Sequence, residues 1–170
     1  MVSHLKEHTS KITSLQLMYD DVHLVTVSRD KSMLTWDLKS DKRIASQTQR
    51  IGGINTLDVT RDANIVLTAG QEKKINKWDL RQTQPIASID AGPPPESDEI
   101  TALAVSHDGR YFATGGTKEV IRIWDVQSMA LVAEGHGHSN TISCIAWAYD
   151  NKQIISTGKD NCTMIWNVFL

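Results

Sequence analysis

Two sets of side chains in this 170-residue chain hold the parts of a nucleophilic relay. His8, Thr26, Asp30 and Trp36 are separated by 18, 4 and 6 residues, and His138, Ser156, Asp160 and Trp166 repeat those intervals. A hydroxyl, an imidazole and a carboxylate can act as a hydrolytic triad, in which the imidazole takes the hydroxyl proton and the carboxylate orients the ring. Two features argue against that chemistry. The trio recurs at a fixed interval, where an enzyme needs one site. Each copy also carries a tryptophan, whose indole N–H can only donate and which occupies the hydroxyl. The set reads as a staple between loops, so no catalytic residue is expected.

The elements that must position these groups follow from a second interval. Ile12, Ile54, Ile100 and Ile142 each stand 24 residues before a tryptophan, and Trp36, Trp78, Trp124 and Trp166 are 42, 46 and 42 residues apart. A unit of constant length with an elastic connection has been repeated four times. A period of about 40–45 residues ending in Trp-Asp marks a β-propeller blade, a four-stranded antiparallel sheet that buries its faces only by stacking on neighbours. Period-two alternation predicts innermost strands over Ile12–Leu17, Ile54–Val59, Ile100–Val105 and Ile142–Trp147. Second strands are expected over Leu24–Ser28, Ile65–Ala69, Tyr111–Gly115 and Ile154–Thr157. Third strands end in Trp36-Asp37, Trp78-Asp79, Trp124-Asp125 and Trp166-Asn167, and fourth strands are expected in Arg43–Thr48, Pro85–Ile89 and Ala130–Glu134. The predicted class is all-β, one region with blades at 8–49, 50–91, 96–134 and 138–170.

The last blade has no fourth strand of its own, while residues 2–7 precede His8 as a closing outer strand would. Three arrangements compete: part of a larger propeller, a homodimer forming an eight-bladed ring, or closure with four blades. The first is the default expectation.

The two His–Ser/Thr–Asp–Trp sets resemble the WD-repeat (WD40) family, in which these residues form a hydrogen-bonded tetrad; the resemblance covers nearly the whole chain. A neutral imidazole would donate to the carboxylate and accept from the hydroxyl, which receives the indole N–H, so every buried polar group has a partner. The inner blades depart from the pattern, with Arg50 and Glu96 at the His position and Glu72 and Lys118 at the Asp position. Their loops are expected to be less rigid. Between blades 2 and 3, Ala91–Glu99 holds Pro93-Pro94-Pro95 and three acids, Glu96, Asp98 and Glu99, and reads as an exposed spacer, or else a docking segment.

Composition limits the function classes. With 18 basic and 20 acidic side chains the net charge is −2, which argues against nucleic acid or a membrane surface as partner. The polar start and the lack of a long apolar run point to the cytosol or nucleus. Cys144 and Cys162 lack metal-ligand spacing and are expected as buried thiols in strands. His136-Gly137-His138 lacks carboxylate or thiol partners for a metal, and Gly52-Gly53 and Gly115-Gly116 suit strand junctions rather than a phosphate loop. Neither metal nor cofactor is expected.

The turns between second and third strands carry Arg29, Lys31, Lys73, Lys74, Lys118 and Lys159, expected to line one basic rim facing an acidic peptide or protein tail. The predicted function is a non-catalytic protein-interaction scaffold. Within WD-repeat proteins, Leu5-Lys6-Glu7-His8-Thr9-Ser10-Lys11-Ile12 and Gly53-Ile54-Asn55-Thr56-Leu57-Asp58 are similar to the cilia- and flagella-associated group, whose members bind microtubule doublets. That resemblance implies a ciliary or cytoskeletal assembly and acidic tubulin tails as partners. A rival resemblance lies in Ile75-Asn76-Lys77-Trp78-Asp79-Leu80-Arg81, similar to the Trp-Asp-x-Arg box of substrate receptors of cullin-RING ubiquitin ligases. It implies that Asp79 and Arg81 touch the ligase adaptor, although Glu72 departs from the aspartate usual in the box.

Overall fold

Alternation of apolar and polar residues over six-residue runs, punctuated by Asp-, Asn- and Gly-containing turns, gives strands joined by hairpins. In the computed structural model, which describes residues 4–61, 65–92 and 98–169, fifteen strands form and none of the described residues is helical. Blade 1 holds β1 (Ile12–Leu17), β2 (His23–Ser28), β3 (Ser32–Asp37) and β4 (Lys42–Thr48). Blade 2 holds β5 (Ile54–Val59), β6 (Ile65–Gly70), β7 (Lys74–Asp79) and β8 (Ala87–Asp90). Blade 3 follows with β9 (Ile100–Val105), β10 (Tyr111–Gly116), β11 (Val120–Asp125) and β12 (Leu131–His136). Blade 4 has three strands, β13 (Ile142–Trp147), β14 (Gln153–Gly158) and β15 (Thr163–Asn167). Every sheet is an antiparallel meander in chain order, and consecutive blades pack inner strand to inner strand, β1 on β5, β5 on β9 and β9 on β13. The chain thus forms a series of WD-repeat-type blades.

A small irregularity recurs in all four blades. The register of the inner pair slips after the isoleucine, leaving Thr13, Asn55, Thr101 and Ser143 as the bulged residues. A bulge re-aims the extra side chain. Here it turns Thr13 to donate to the Ile54 carbonyl at 2.6 Å, Asn55 to the Ile100 carbonyl at 2.9 Å, and Thr101 to the Ile142 carbonyl. Each seam is therefore stitched by a bulge residue of one blade and the isoleucine of the next.

Apolar contacts fill the seams in equally constant fashion. The incoming side of a blade presents its isoleucine and the residues three, five and twelve positions on: Ile54, Leu57, Val59 and Val66 in blade 2, and Ile142, Ile145, Trp147 and Ile154 in blade 4. The outgoing side is made chiefly by second- and third-strand residues, Val25 and Met33 in blade 1 and Ala113, Ile121 and Ile123 in blade 3. Full burial of each such Ile, Leu or Val contributes about 1.5–3 kcal/mol. Stacking of blades, more than any one sheet, carries the fold.

Four expectations need correction. Of the expected closing strand at 2–7, residues 4–7 carry no strand and residues 2 and 3 lie outside the described residues; among the described residues blade 4 has three strands. Strand β8 starts at Ala87 because Pro85 has no N–H to give to the ladder. The thiols are exposed: Cys144 sits on the uncovered side of blade 4, and Cys162 lies in the turn before β15. Asp98, expected in an exposed spacer, is fully buried, while Pro93, Pro94, Pro95 and Glu96 lie outside the described residues.

Candidate functional site: a basic groove held by two tetrads

The loop before β1 and the β2–β3 turn are far apart in sequence but meet at one end of blade 1. His8 Nδ1 lies 3.0 Å from an Asp30 carboxylate oxygen, and its Nε2 lies 2.8 Å from Thr26 Oγ1. The Trp36 indole donates to the same Thr26 oxygen at 2.8 Å. In blade 4 the corresponding distances are 2.7 Å for His138 to Asp160, 2.7 Å for His138 to Ser156, and 2.8 Å for Trp166 to Ser156. The structure brings both sets of four together. With Nδ1–H donating to the carboxylate, the hydroxyl proton goes to Nε2 and the indole proton to the hydroxyl oxygen, a closed chain of donors and acceptors. Thr26 and Ser156 are buried, so neither hydroxyl faces solvent from which a substrate could approach.

The carboxylates also hold the adjoining backbone. Asp30 accepts Thr9 N–H, Ser32 N–H and the Ser32 hydroxyl, and Asp160 accepts Ser139 N–H and Cys162 N–H. Burial pushes the Asp30 carboxyl up, but these bonds and His8 outweigh it and leave the group far below the usual carboxylate range. The Asp160 carboxyl, subject to the same opposition of burial against Ser139, His138 and Cys162, lies at about 2.

Blades 2 and 3 tie their loops by other means. In blade 2 the Gln71 side chain accepts Gly53 N–H at 3.0 Å, and Gln49 donates to the Ile51 and Gly52 carbonyls. Arg50 is exposed, and Glu72 is half-buried and accepts the Asn76 amide at 3.4 Å. In blade 3 the carboxylate comes from the preceding loop: Asp98 accepts Lys118 N–H at 3.0 Å and the Thr117 hydroxyl at 2.8 Å. Arg122, 3% exposed on β11, lies 3.9 Å from Asp98, donates to Glu134 at 2.7 Å and to the Ala91 carbonyl at 3.0 Å. Burial nonetheless raises the Asp98 carboxyl, against Thr117, Lys118 and the Arg122 charge. The Thr68–Trp78 and Thr114–Trp124 bonds persist at 2.8 and 2.9 Å, so all four blades keep the indole–hydroxyl half of the set.

These ties shape a groove at the inner ends of the blades. Lys11, Thr13 and Arg29 from blade 1, Asn55 from blade 2, Glu99, Thr101 and Thr117 from blade 3, and Thr141 and Lys159 from blade 4 line it. Lys11, Arg29 and Lys159 are exposed, whereas the one carboxylate, Glu99, is half-buried and accepts the Asn55 amide at 3.1 Å. Of the six basic residues expected on one rim, only Arg29 and Lys159 reach this groove. It takes one turn position from each of blades 1, 3 and 4, namely Arg29, Thr117 and Lys159, while Lys31, Lys73, Lys74 and Lys118 stand one to three residues beyond the corresponding position of their own hairpins. Lys31 and Lys73 sit at φ of 70° and 59°, the left-handed corner of the hairpin. Lys74 lies 4.0 Å from Asp90 and, with Arg50 and Glu72, lines a separate cleft where blade 1 meets blade 2.

Sequence reasoning passed over Lys11, although a signal existed: the residues just before the repeated isoleucines include Lys11, Glu99 and Thr141, all at the groove mouth. At the opposite end of β7, Arg81 clamps Asp79 through two bonds of 2.9 and 2.6 Å. That clamp, together with Arg81 N–H, holds the Asp79 carboxyl at about 2. Among the described residues no three His, Cys, Asp or Glu side chains gather as metal ligands.

Comparison with known proteins agrees with this architecture. The chain is 29% identical to the U3 snoRNP-associated protein-like YAO of Arabidopsis thaliana, over 91% of this chain and 25% of that protein. It is 26% identical to cilia- and flagella-associated protein 52 of Chlamydomonas reinhardtii, over 96% of this chain and 26% of the relative. Cilia- and flagella-associated protein 57 of Mus musculus is 25% identical over 99% of this chain and 13% of its own length. The chain therefore spans about a quarter or less of these relatives. Residues 9–169 match the family described as nucleolar protein 10-like, N-terminal domain, a β-propeller. Four Trp-bearing blades, two complete tetrads and a family match over nearly the whole chain make this protein a member of the WD-repeat β-propeller family.

Proposed function

We propose that the chain is a non-catalytic interaction scaffold whose basic groove docks an acidic protein segment. The observation that carries this reading is the convergence of Lys11, Arg29 and Lys159 on one groove while its neighbouring carboxylates are engaged, Asp30 and Asp160 by the tetrads and Glu99 by Asn55. Focused positive potential speeds and orients encounters with an acidic partner even on a protein of net charge −2. Relatives named for cilia and flagella support a cytoplasmic, ciliary or cytoskeletal setting, in which acidic tubulin tails are the fitting ligand. The relative named for the U3 snoRNP supports a nucleolar one, and an RNA arm in the test separates the two. The ligase-adaptor reading has less support, because Asp79 is spent on Arg81 and is not free for a partner.

The test is a titration of a fluorescent glutamate-rich peptide with the wild-type chain and with Lys11→Glu/Arg29→Glu/Lys159→Glu. The triple variant should bind at least about tenfold more weakly, with affinity falling as salt rises. Lys73→Glu/Lys74→Glu, outside the groove, should bind as wild type. Equal affinity of wild type and triple variant refutes the groove, and preferential binding of single-stranded RNA moves the reading to a ribonucleoprotein partner.

A further inference from the structure

Three seams join consecutive blades, and the same pair of positions faces across each. Two residues before the tryptophan, the third strand carries Asn76 in blade 2, Arg122 in blade 3 and Met164 in blade 4. On the other side, the residue after the last paired position of the preceding outer strand is Gln49, Ala91 or Gly137. Arg122 spans its seam and donates to the Ala91 carbonyl at 3.0 Å. Met164 spans its own so closely that a Cβ on Gly137 would stand 3.0 Å from its sulfur, and a Cβ on Gly135 would stand 2.9 Å from the Trp166 ring. Long side chains of the protein itself fill these two seams.

The seam between blades 1 and 2 is left unfilled. Asn76 is the shortest of the three side chains and turns its amide to Glu72 at 3.4 Å, while Gln49 folds back onto the Ile51 and Gly52 carbonyls. The imidazole that His138 buries in blade 4 has no counterpart either, because Arg50, at that position in blade 2, is exposed. What remains is a cleft of about 590 Å³, within the roughly 300–1,000 Å³ of ligand sites. Asn76 and Trp78 line it from the buried side, and Thr48, Gln84 and Ser88 stand exposed at its mouth. Arg50 and Lys74 bring two positive charges to it and Glu72 one negative. Arg50 is in no ion pair among the described residues, and Lys74 meets Asp90 only at 4.0 Å in a largely solvated, weak pair.

We infer that this cleft binds the carboxyl-terminal end of a partner polypeptide. Two cations against one carboxylate leave a single positive charge, which one guest carboxylate neutralises. Arg50 presents a planar fork of N–H donors that matches a carboxylate bidentately, and Lys74 adds a point charge. Glu72 calls for a guest that brings a donor as well. A terminal residue carries both, its α-carboxylate and its own N–H on the same Cα, whereas a glutamate side chain carries acceptors only. The Gln84 amide and the Ser88 hydroxyl each donate and accept, which complements the further peptide groups of a chain and favours a chain end over a free amino acid. Trp78 and Pro85 offer the terminal side chain an apolar edge. The site is separate from the groove at the inner ends of the blades and does not rest on the function proposed for it.

Equilibrium dialysis of the full chain against an equimolar pool tests this, with mass spectrometry as the readout. The pool holds N-acetylated tetrapeptides, each as the free acid and as the carboxyl-terminal amide, together with free amino acids. The free acids should be retained at least about tenfold over their amides. Arg50→Ala/Lys74→Ala should bring the acids down to the level of the amides. Asn76→Met, which places the blade 4 residue at this position, should fill the cleft and abolish retention while keeping the β-type far-UV circular dichroism. Lys11→Glu/Arg29→Glu/Lys159→Glu should retain the acids as wild type does, so failure of the groove and failure of the cleft are told apart. A glutamate-rich peptide with an amidated end should bind Arg50→Ala/Lys74→Ala as it binds wild type. Equal retention of acids and amides, no retention by the wild type, or retention that survives Arg50→Ala/Lys74→Ala overturns the inference. Free amino acids held as tightly as the peptides overturn a polypeptide as the source.

Discussion

Replacing Thr26 by valine measures how far the imidazole extends the indole–hydroxyl bond into a coupled network. Thr26 is 5% exposed and serves two neighbours, accepting from the Trp36 indole at 2.8 Å and contacting His8 Nε2 at 2.8 Å. Valine leaves both buried groups without a partner, and each buried unsatisfied group costs about 1–3 kcal/mol, so a loss of about 2–4 kcal/mol is expected. Thr68 of blade 2 provides the control: it is 0% exposed, meets the Trp78 indole at the same 2.8 Å, and has Arg50 where blade 1 has His8. Thr68→Val should cost about 1–2 kcal/mol, and Thr114→Val in blade 3 a similar amount. Urea denaturation followed by circular dichroism gives the free energies. Thermal melts should separate the Thr26 and Thr68 variants by about 3–6 °C for a chain of this size. A double-mutant cycle of Thr26→Val with His8→Phe should show coupling of about 1 kcal/mol or more. Equal losses for Thr26→Val and Thr68→Val, with no coupling, would refute the tetrad as a cooperative unit.

Two further outcomes follow from the same structure. The depressed carboxyls of Asp30 and Asp160 stabilise the fold above the ordinary carboxylate range near pH 4 and lose that contribution as pH falls through their folded values, about 2 for Asp160. Urea midpoints should therefore drop between about pH 4 and pH 2, and Asp30→Asn should flatten that drop; the raised carboxyl of Asp98 has the opposite sign and partly offsets it. Gly116→Ala should cost about 3 kcal/mol or more in the same assay, because the new Cβ meets the Glu99 carbonyl, which the sheet holds in place. Gly109→Ala, in open space at φ +73°, should cost only about 1 kcal/mol, so equal melting points for the two variants would show that blade 3 yields at that contact.

How much of this was legible in the chain depends on the range of each contact. The inner strands were readable to the residue, because Ile12, Ile54, Ile100 and Ile142 each open an alternating run that one face of a sheet must bury. Tetrad partners were readable because His8, Thr26, Asp30 and Trp36 fall within one repeat and recur in another. Asp98 was not. Its place in an acidic, proline-rich connection reads as solvent-exposed, and only the approach of Thr117 and Arg122 makes it a buried loop tie. Lys11 shares its groove with Arg29 of its own blade, but only the approach of Lys159 from blade 4 makes the three cations one site.

The repeat interval alone determined strand order, hairpin pairing and the two staples, since all of these are decided between residues less than one repeat apart. Which cations share a groove, and which apolar faces stay open, was decided only by the stacking of blades. The six turn cations are alike in sequence, and Ile12 is of the same type as Ile54. What distinguishes them is the presence or absence of a neighbouring sheet, a property of the assembled blades that no single repeat encodes.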